Sequence, residues 1–297
     1  MAVVEGALPT HTTLECHDVA RSLAFYREVM GLEVNHISAL VGHVWATNRH
    51  YAAVLQSAAC VQQPLLNYYA RPVARPEDVD AIHAKIEAVR SLHGIREITA
   101  PAREDEAKFG VGTYGFYVND RDGNWWRVED NDGPFGAVAL PPVRAGVPQA
   151  SIVPPGPISY VMLESARLAR SVRFYRDFLG LTVECPAPHF ALVQSESSWV
   201  KFIAVDVGDA LVPQKVSNHH GLSIEGTEQT VDELRRAARE QAAEFELSKV
   251  LPATRQHGSY SFYLQDADTN CWELEIWDDG ISPVERGLKY GSLKGHA

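Results

Sequence analysis

A chain of 297 residues, 45% hydrophobic and 22% charged, has the composition of a globular protein and the length of about two domains. Its formal net charge of -11 leaves no basic stripe for a phosphate backbone or an anionic membrane surface, so no nucleic acid and no membrane partner is expected. The start "MAVVEGALPTHTTLECHDVA" has no basic region followed by a long apolar run, and no apolar stretch approaches the roughly 20 residues that span a bilayer, so a cytoplasmic location is expected.

The first predicted element is a strand at residues 11–16, in which His11, Thr13 and Glu15 alternate with Thr12, Leu14 and Cys16, so that His11 falls on the more polar face. "DVARSLAFYREVMGLEV" (18–34) reads as an amphipathic helix closed by Gly31 and followed by a strand. "LLNYYARPVARPEDVDAIHAKI" (65–86) reads as a short strand and a helix with an acidic first turn, as the helix dipole favours. "YGFYVNDRDGNWWRVEDN" (114–131) reads as a hairpin. The Pro-rich, largely uncharged "PFGAVALPPVRAGVPQASIVPPGP" (134–157) suits an extended interdomain linker.

The series then repeats. "RLARSVRFYRDFLGLTV" (167–183) places Tyr175 149 residues after Tyr26, and closes on Gly180. "VSNHHGLSIEGTEQTVDELRRA" (216–237) places Val231 152 residues after Val79, and "YSFYLQDADTNCWELEIW" (260–277) places Tyr263 146 residues after Tyr117. Four modules result, at roughly 8–60, 62–131, 157–206 and 216–277. They imply an N-terminal half at 1–133, the linker at 134–157 and a C-terminal half at 158–297, with a surface tail after about 280. Cys16, Cys60, Cys185 and Cys271 form no CxxC pair, which argues against a zinc site or disulfide framework and predicts buried, reduced thiols.

Residues 11–32, "SVRFYRDFLGL" at 171–181 and the two "FY...D.D..N.W" hairpins resemble the vicinal oxygen chelate superfamily, which includes glyoxalases, bleomycin-resistance proteins and extradiol dioxygenases. With four modules, the chain looks most like an extradiol ring-cleavage dioxygenase. The resemblance implies an α+β fold of four βαβββ modules in two halves, whose curved mixed sheets enclose a metal cavity.

In that family ligands come from a module's first strand and from its last strand. The first-strand positions here are His11, Asn67, Tyr160 and His219; the last-strand positions after the hairpin asparagines are Arg127 and Glu273. A guanidinium has no free lone pair, so Arg127 cannot ligate a cation, whereas Glu273 can. The common extradiol pattern, confined to the second half, would use Tyr160, His219 and Glu273. If module one pairs with module four, the set becomes His11, His219 and Glu273, the two-histidine, one-carboxylate facial triad of non-haem Fe(II) oxygenases. His220, adjacent to His219 and pointing to the opposite strand face, is the alternative ligand there.

The resemblance also implies His257 as proton carrier and Tyr263 as hydrogen-bond partner of the substrate; in a "HGSYSFY" strand both project to one face. Glu275 shares a face with Glu273 and is expected behind it or in solvent, and His189 is a reserve acid/base candidate. His17, His36, His43, His50, His83, His93 and His296 fit no ligand position. The expected function is Fe(II)-dependent ring cleavage of a catechol- or hydroquinone-type aromatic with O2. Mn, Ni or Zn are the alternative metals, a small aromatic substrate and O2 the partners, and a homo-oligomer the expected assembly. The rival classes are a glyoxalase-like metal-dependent lyase or isomerase, and a metal-free protein that stacks an aromatic compound on Trp45, Trp125, Trp126, Trp199 and Trp272.

Overall fold

The computed structural model describes residues 2–47, 50–104, 112–130, 150–195, 201–256 and 258–278. Module one runs as β1 (Leu8–Cys16), α1 (Val19–Glu28), β2 (Glu33–His36), β3 (Val41–Thr47) and β4 (His50–Gln56). Module two has β5 (Tyr68–Val73), α2 (Pro76–His93), two short strands β6 (Glu97–Ile98) and β7 (Ala102–Arg103), then β8 (Tyr114–Asn119) and β9 (Trp125–Asp130). Module three has β10 (Tyr160–Ser165), α3 (Leu168–Arg173) continued by a π turn at Phe174–Phe178, β11 (Thr182–Ala187), β12 (Phe190–Gln194) and β13 (Lys201–Asp206). Module four has β14 (His219–Ser223), α4 (Glu228–Glu240), β15 (Lys249–Val250), β16 (Thr254–Gln256), β17 (Ser259–Gln265) and β18 (Cys271–Trp277). The fold is α+β, with the helix after the first strand in every module.

Local chemistry sets the helix limits. The Asp18 carboxylate accepts the backbone N–H of Arg21 at the start of α1, and α2 opens on Pro76, Glu77 and Asp78 and stops at Gly94, whose φ of 66° is left-handed. Gly180 also has a positive φ of 68°, and a Cβ there would lie 2.3 Å from the Val4 carbonyl oxygen, so this turn admits only glycine.

Contacts divide the chain into two compact lobes. Lobe 1 comprises residues 1–13 and 164–297, and lobe 2 residues 14–163. Each lobe therefore draws strands from both sequence halves. In lobe 1 the order β15-β17-β18-β14-β1 forms an open mixed sheet, with β14 parallel to β18 and the other pairs antiparallel. Leu8–Thr12 of β1 run against residues 220–223 of β14, so module one pairs with module four. In lobe 2 the order β10-β5-β9-β8-β6 repeats the plan, with β5 parallel to β9 and Val161 opposite Tyr69, so module three pairs with module two.

The lobe cores are aromatic. Trp272 and Tyr175 meet in lobe 1 at 5.5 Å between ring centroids, and Trp126 and Tyr26 in lobe 2 at 5.1 Å. Trp45, Trp125, Trp126 and Trp272 are all buried, and Trp199 lies outside the described residues. Cys16 and Cys271 are buried as expected, but Cys60 is half-buried and Cys185 exposed on β11, a strand with most of its side chains in solvent. Among the described residues no helix is long and apolar enough to cross a membrane. Most of the expected linker and the tail lie outside the described residues.

Candidate metal centre

Three neighbouring strands of lobe 1 bring His11, His219 and Glu273 together. Gly221 of β14 stands opposite His11 of β1 and beside Glu273 of β18, so one small residue separates the two larger ones. A Cβ on Gly221 would lie 2.0 Å from His11 Cε1; the missing side chain is the space that the imidazole fills. His11 Nε2 is 3.3 Å and His219 Nε2 3.1 Å from Glu273 Oε2, and the two nitrogens are 3.3 Å apart. Donors bound at right angles to one ion at about 2.1 Å sit about 3.0 Å from each other, so this triangle matches one face of a coordination octahedron to within a few tenths of an ångström.

The remaining ring nitrogens are committed elsewhere. His219 Nδ1 is 3.0 Å from the Val216 carbonyl oxygen, and His11 Nδ1 is 3.2 Å from Glu275 Oε1, which also accepts from the Thr10 hydroxyl at 3.1 Å. Both acceptors can hold a ring proton at Nδ1, so that an ion displacing the Nε2 protons now shared with Glu273 would meet an Nε2 lone pair, the tautomer a metal requires. Thr13 fixes the start of β14: its hydroxyl oxygen accepts the His219 backbone N–H at 2.7 Å and its proton goes to the Ser217 carbonyl at 2.6 Å. His11, His219, Glu273 and Glu275 are 4%, 7%, 3% and 1% exposed, which makes the centre dry enough for charge to matter.

Two buried carboxylates this close need a cation. Burial opposes a charge on His11, yet Glu275 and Glu273 beside it push its pKa up to about 10. Burial likewise opposes a charge on Glu273, but hydrogen bonds from His11 and His219 hold its carboxyl well below the usual range. Burial pushes Glu275 up, with His11 acting in the other direction. The donor set fits a divalent ion, which would take the place of the proton shared among these groups.

Tyr263 is the one described second candidate at the centre. It faces Glu273 across β17 and β18, and its ring meets the His219 ring edge-on at 4.9 Å. Burial and then Glu273 push its phenol well above the ordinary value, so the hydroxyl keeps its proton. The Gln256 side-chain amide donates to the Tyr263 hydroxyl oxygen, and its nitrogen lies 3.4 Å from Glu273 Oε1. Gln256 was missed in the sequence, where the adjacent His257 drew attention; His257 itself lies outside the described residues.

The other candidates fall elsewhere. His220 points away, packed against Phe202 and Trp272 at 5.0 and 5.3 Å. Tyr160 is in lobe 2, its hydroxyl 3.3 Å from that of Tyr68. The first-strand position of module two is Tyr68 and not Asn67, because Tyr68 opposes Trp125 as His219 opposes Cys271; Asn67 instead donates to the Gln63 side chain. His189 sits beside Phe190 where β11 turns into β12. A second group with ligand atoms within 4.8 Å of one another, His17, Cys60 and Asp122, was not foreseen. Asp122 there already accepts the His17 backbone N–H at 2.9 Å and the Ser22 hydroxyl, which ties the hairpin to the start of α1.

Residues 9–128 match the family described as Glyoxalase/Bleomycin resistance protein/Dioxygenase superfamily. That match spans less than half of the chain and runs from β1 to β9. Solved structures align with the chain almost end to end. Glyoxalase I from Zea mays is 14% identical with a TM-score of 0.60, covering 98% of this chain and 98% of its own. A putative dioxygenase from Bacillus subtilis subsp. subtilis str. 168 is 11% identical with a TM-score of 0.53, covering 90% of this chain and 84% of its own. At such identities the superfamily likeness is one of fold. No curated protein matches the chain.

Proposed function

We propose that the chain is a ferrous-iron dioxygenase that opens the ring of a catechol- or hydroquinone-type aromatic with O2. The observation that carries this reading is the three-membered ligand set: two imidazoles and one carboxylate converge, and Glu275 meets His11 at Nδ1, the nitrogen turned away from the centre. A glyoxalase-like lyase would call for a second carboxylate at the ion to act as base. Bound iron supplies a redox-active Lewis acid with positions left for two substrate oxygens and O2.

The chain's own groups do the rest. Glu273 brings one negative charge and the imidazoles none, so the three ligands by themselves would leave a divalent ion with positive charge to favour a diol bound as its phenolate. Glu275 holds the Nδ1 proton of His11, and the Val216 carbonyl that of His219, so neither ring rotates as the substrate enters. The Gln256 amide donates to the Tyr263 oxygen, so the phenol proton, which Glu273 accepts here, is the one Tyr263 would turn to a substrate oxygen. His257 is the proposed carrier of the second diol proton, a task that suits an imidazole.

The test is metal analysis of anaerobically purified protein followed by oxygen uptake with a panel of catechols and hydroquinones. About one iron per chain and uptake with at least one diol are expected. Full iron occupancy with no uptake across the panel rejects the reading, and nickel- or zinc-dependent isomerisation of a hemithioacetal would put the lyase in its place.

A further inference from the structure

Lobe 2 repeats the candidate metal centre position by position. Tyr68 opposes Trp125 as His219 opposes Cys271, and Ala70 opposes Arg127 as Gly221 opposes Glu273. Val161 faces Tyr69 as Thr12 faces His220, which makes Tyr160 the counterpart of His11. Arg103 faces Tyr114 as Arg255 faces Tyr260, so Glu104 corresponds to Gln256; Tyr117 and Glu129 correspond to Tyr263 and Glu275.

The replacements are concerted in charge. Where lobe 1 has the anionic ligand Glu273, lobe 2 has a cation, and where lobe 1 has neutral Gln256, lobe 2 has the carboxylate Glu104. Arg127 is 1% exposed, with its Nε 2.8 Å from Glu129 Oε2 and its Nη1 3.3 Å from Glu104 Oε1. Its Nη2 donates to the Thr113 carbonyl at 3.0 Å, and its guanidinium carbon lies 4.7 Å over the Tyr117 ring. Tyr117 in turn donates to Glu104, and Tyr68 and Tyr160 close the space that the two imidazoles would take. A buried carboxylate pair that a metal could serve is thus served by a group that cannot dissociate and needs no lone pairs from its neighbours.

We propose that Arg127 is a built-in substitute for the ion. Lobe 2 keeps a fixed-charge copy of the metal centre, one chain takes one ion, and this position becomes a divalent-metal site when its three ligand positions, and Ala70 beside them, are given the lobe 1 identities. The proposal rests on His11, His219 and Glu273 being the metal ligands.

The experiment uses Mn²⁺ as the probe, counted per chain by equilibrium dialysis, in full-length protein carrying Glu273→Gln. That variant alone is expected to bind no stoichiometric Mn²⁺. An ion retained there would mean that the lobe 1 ligand reading has failed, and would be seen before lobe 2 is altered. Adding Tyr68→His, Tyr160→His, Arg127→Glu and Ala70→Gly, the last because a Cβ at the Gly221 position would meet the imidazole, is expected to bring binding to about one ion per chain, with a thermal midpoint that rises with Mn²⁺ concentration. A folded variant by near-ultraviolet circular dichroism that binds none overturns the proposal. Arg127→Met in the otherwise natural chain gives an independent reading, because Glu104 and Glu129 then lack their cation: its thermal midpoint in chelator is expected well below that of the parent. An unchanged midpoint overturns the proposal whether or not the multiple variant folds.

Discussion

Gly221 is the residue whose side chain matters by its absence. With a Cβ only 2.0 Å from His11 Cε1, Gly221→Ala must push the imidazole off the centre or part β1 from β14. Loss of bound metal is expected with secondary structure retained, and a Gly221→Ala protein with full metal content would mean that His11 is not a ligand. The direct comparison is His11→Ala, expected to lose metal, against Tyr160→Phe, expected to keep it; metal per chain, measured beside a thermal melt, decides between them. His257→Ala is expected to retain metal while kcat falls by roughly 10²- to 10⁴-fold, the range for losing a general acid or base, and loss of metal would make it a ligand instead. At this scale the sequence was most legible where chemistry is singular. A carboxylate at 273 against a guanidinium at 127 is visible in one line of text. Whether His219 or His220 faces inward was harder, because adjacent strand residues differ only in side and only the partner strand says which side is the centre.

The element that holds the site is the β17–β18 hairpin, whose "D.D..N.W" pattern carries the family resemblance and recurs at the β8–β9 turn of lobe 2. Asp266 Oδ1 accepts the backbone N–H groups of Asp268 and Asn270 at 2.9 and 3.0 Å, and its Oδ2 accepts the Trp272 indole at 3.2 Å. Asp120 does the same for Asp122 and Asn124, both at 2.9 Å, and also takes the Tyr26 hydroxyl at 2.9 Å. Asn270 carries the link on to the Glu164 carbonyl at 3.2 Å, so the turn sets the register of β18 and with it the height of Glu273. Removing either aspartate leaves two or three buried donors unsatisfied, at about 1–3 kcal/mol each. Asp266→Ala and Asp120→Ala are each expected to destabilise by roughly 3 kcal/mol or more, read from denaturant midpoints at unchanged slope. A loss below about 0.5 kcal/mol, the size of an ordinary surface change, would show that these carboxylates do not organise the turn. The helices were legible from their period and caps. The two-residue strands β6, β7 and β15 were not, since so few residues carry no period and are defined only by the strand beside them.

On the scale of the molecule, the question open in the sequence was which module pairs with which, and it decided the ligand set. Repetition reveals modules but is blind to their pairing, because it compares modules along the chain and carries no record of which first strand lies beside which. What separates the pairings is long-range register: Leu8–Thr12 against residues 220–223 in lobe 1, and Val161 against Tyr69 in lobe 2. One proposed ligand therefore comes from the start of the chain and two from more than 200 residues later, His11 and His219 being 208 apart. A half-chain of residues 134–297 contains His219 and Glu273 but only two of the three donors; a half-chain of residues 1–133 contains His11 alone. Two donors rarely retain a labile divalent ion against water, so neither half is expected to hold stoichiometric Mn²⁺ by equilibrium dialysis. Co-expressed, the halves are expected to form a one-to-one complex with about one ion, since β1 can still add to β14 when the connection between halves is cut. A 134–297 fragment that binds one ion per chain by itself would return the site to the second half and remove His11 from it.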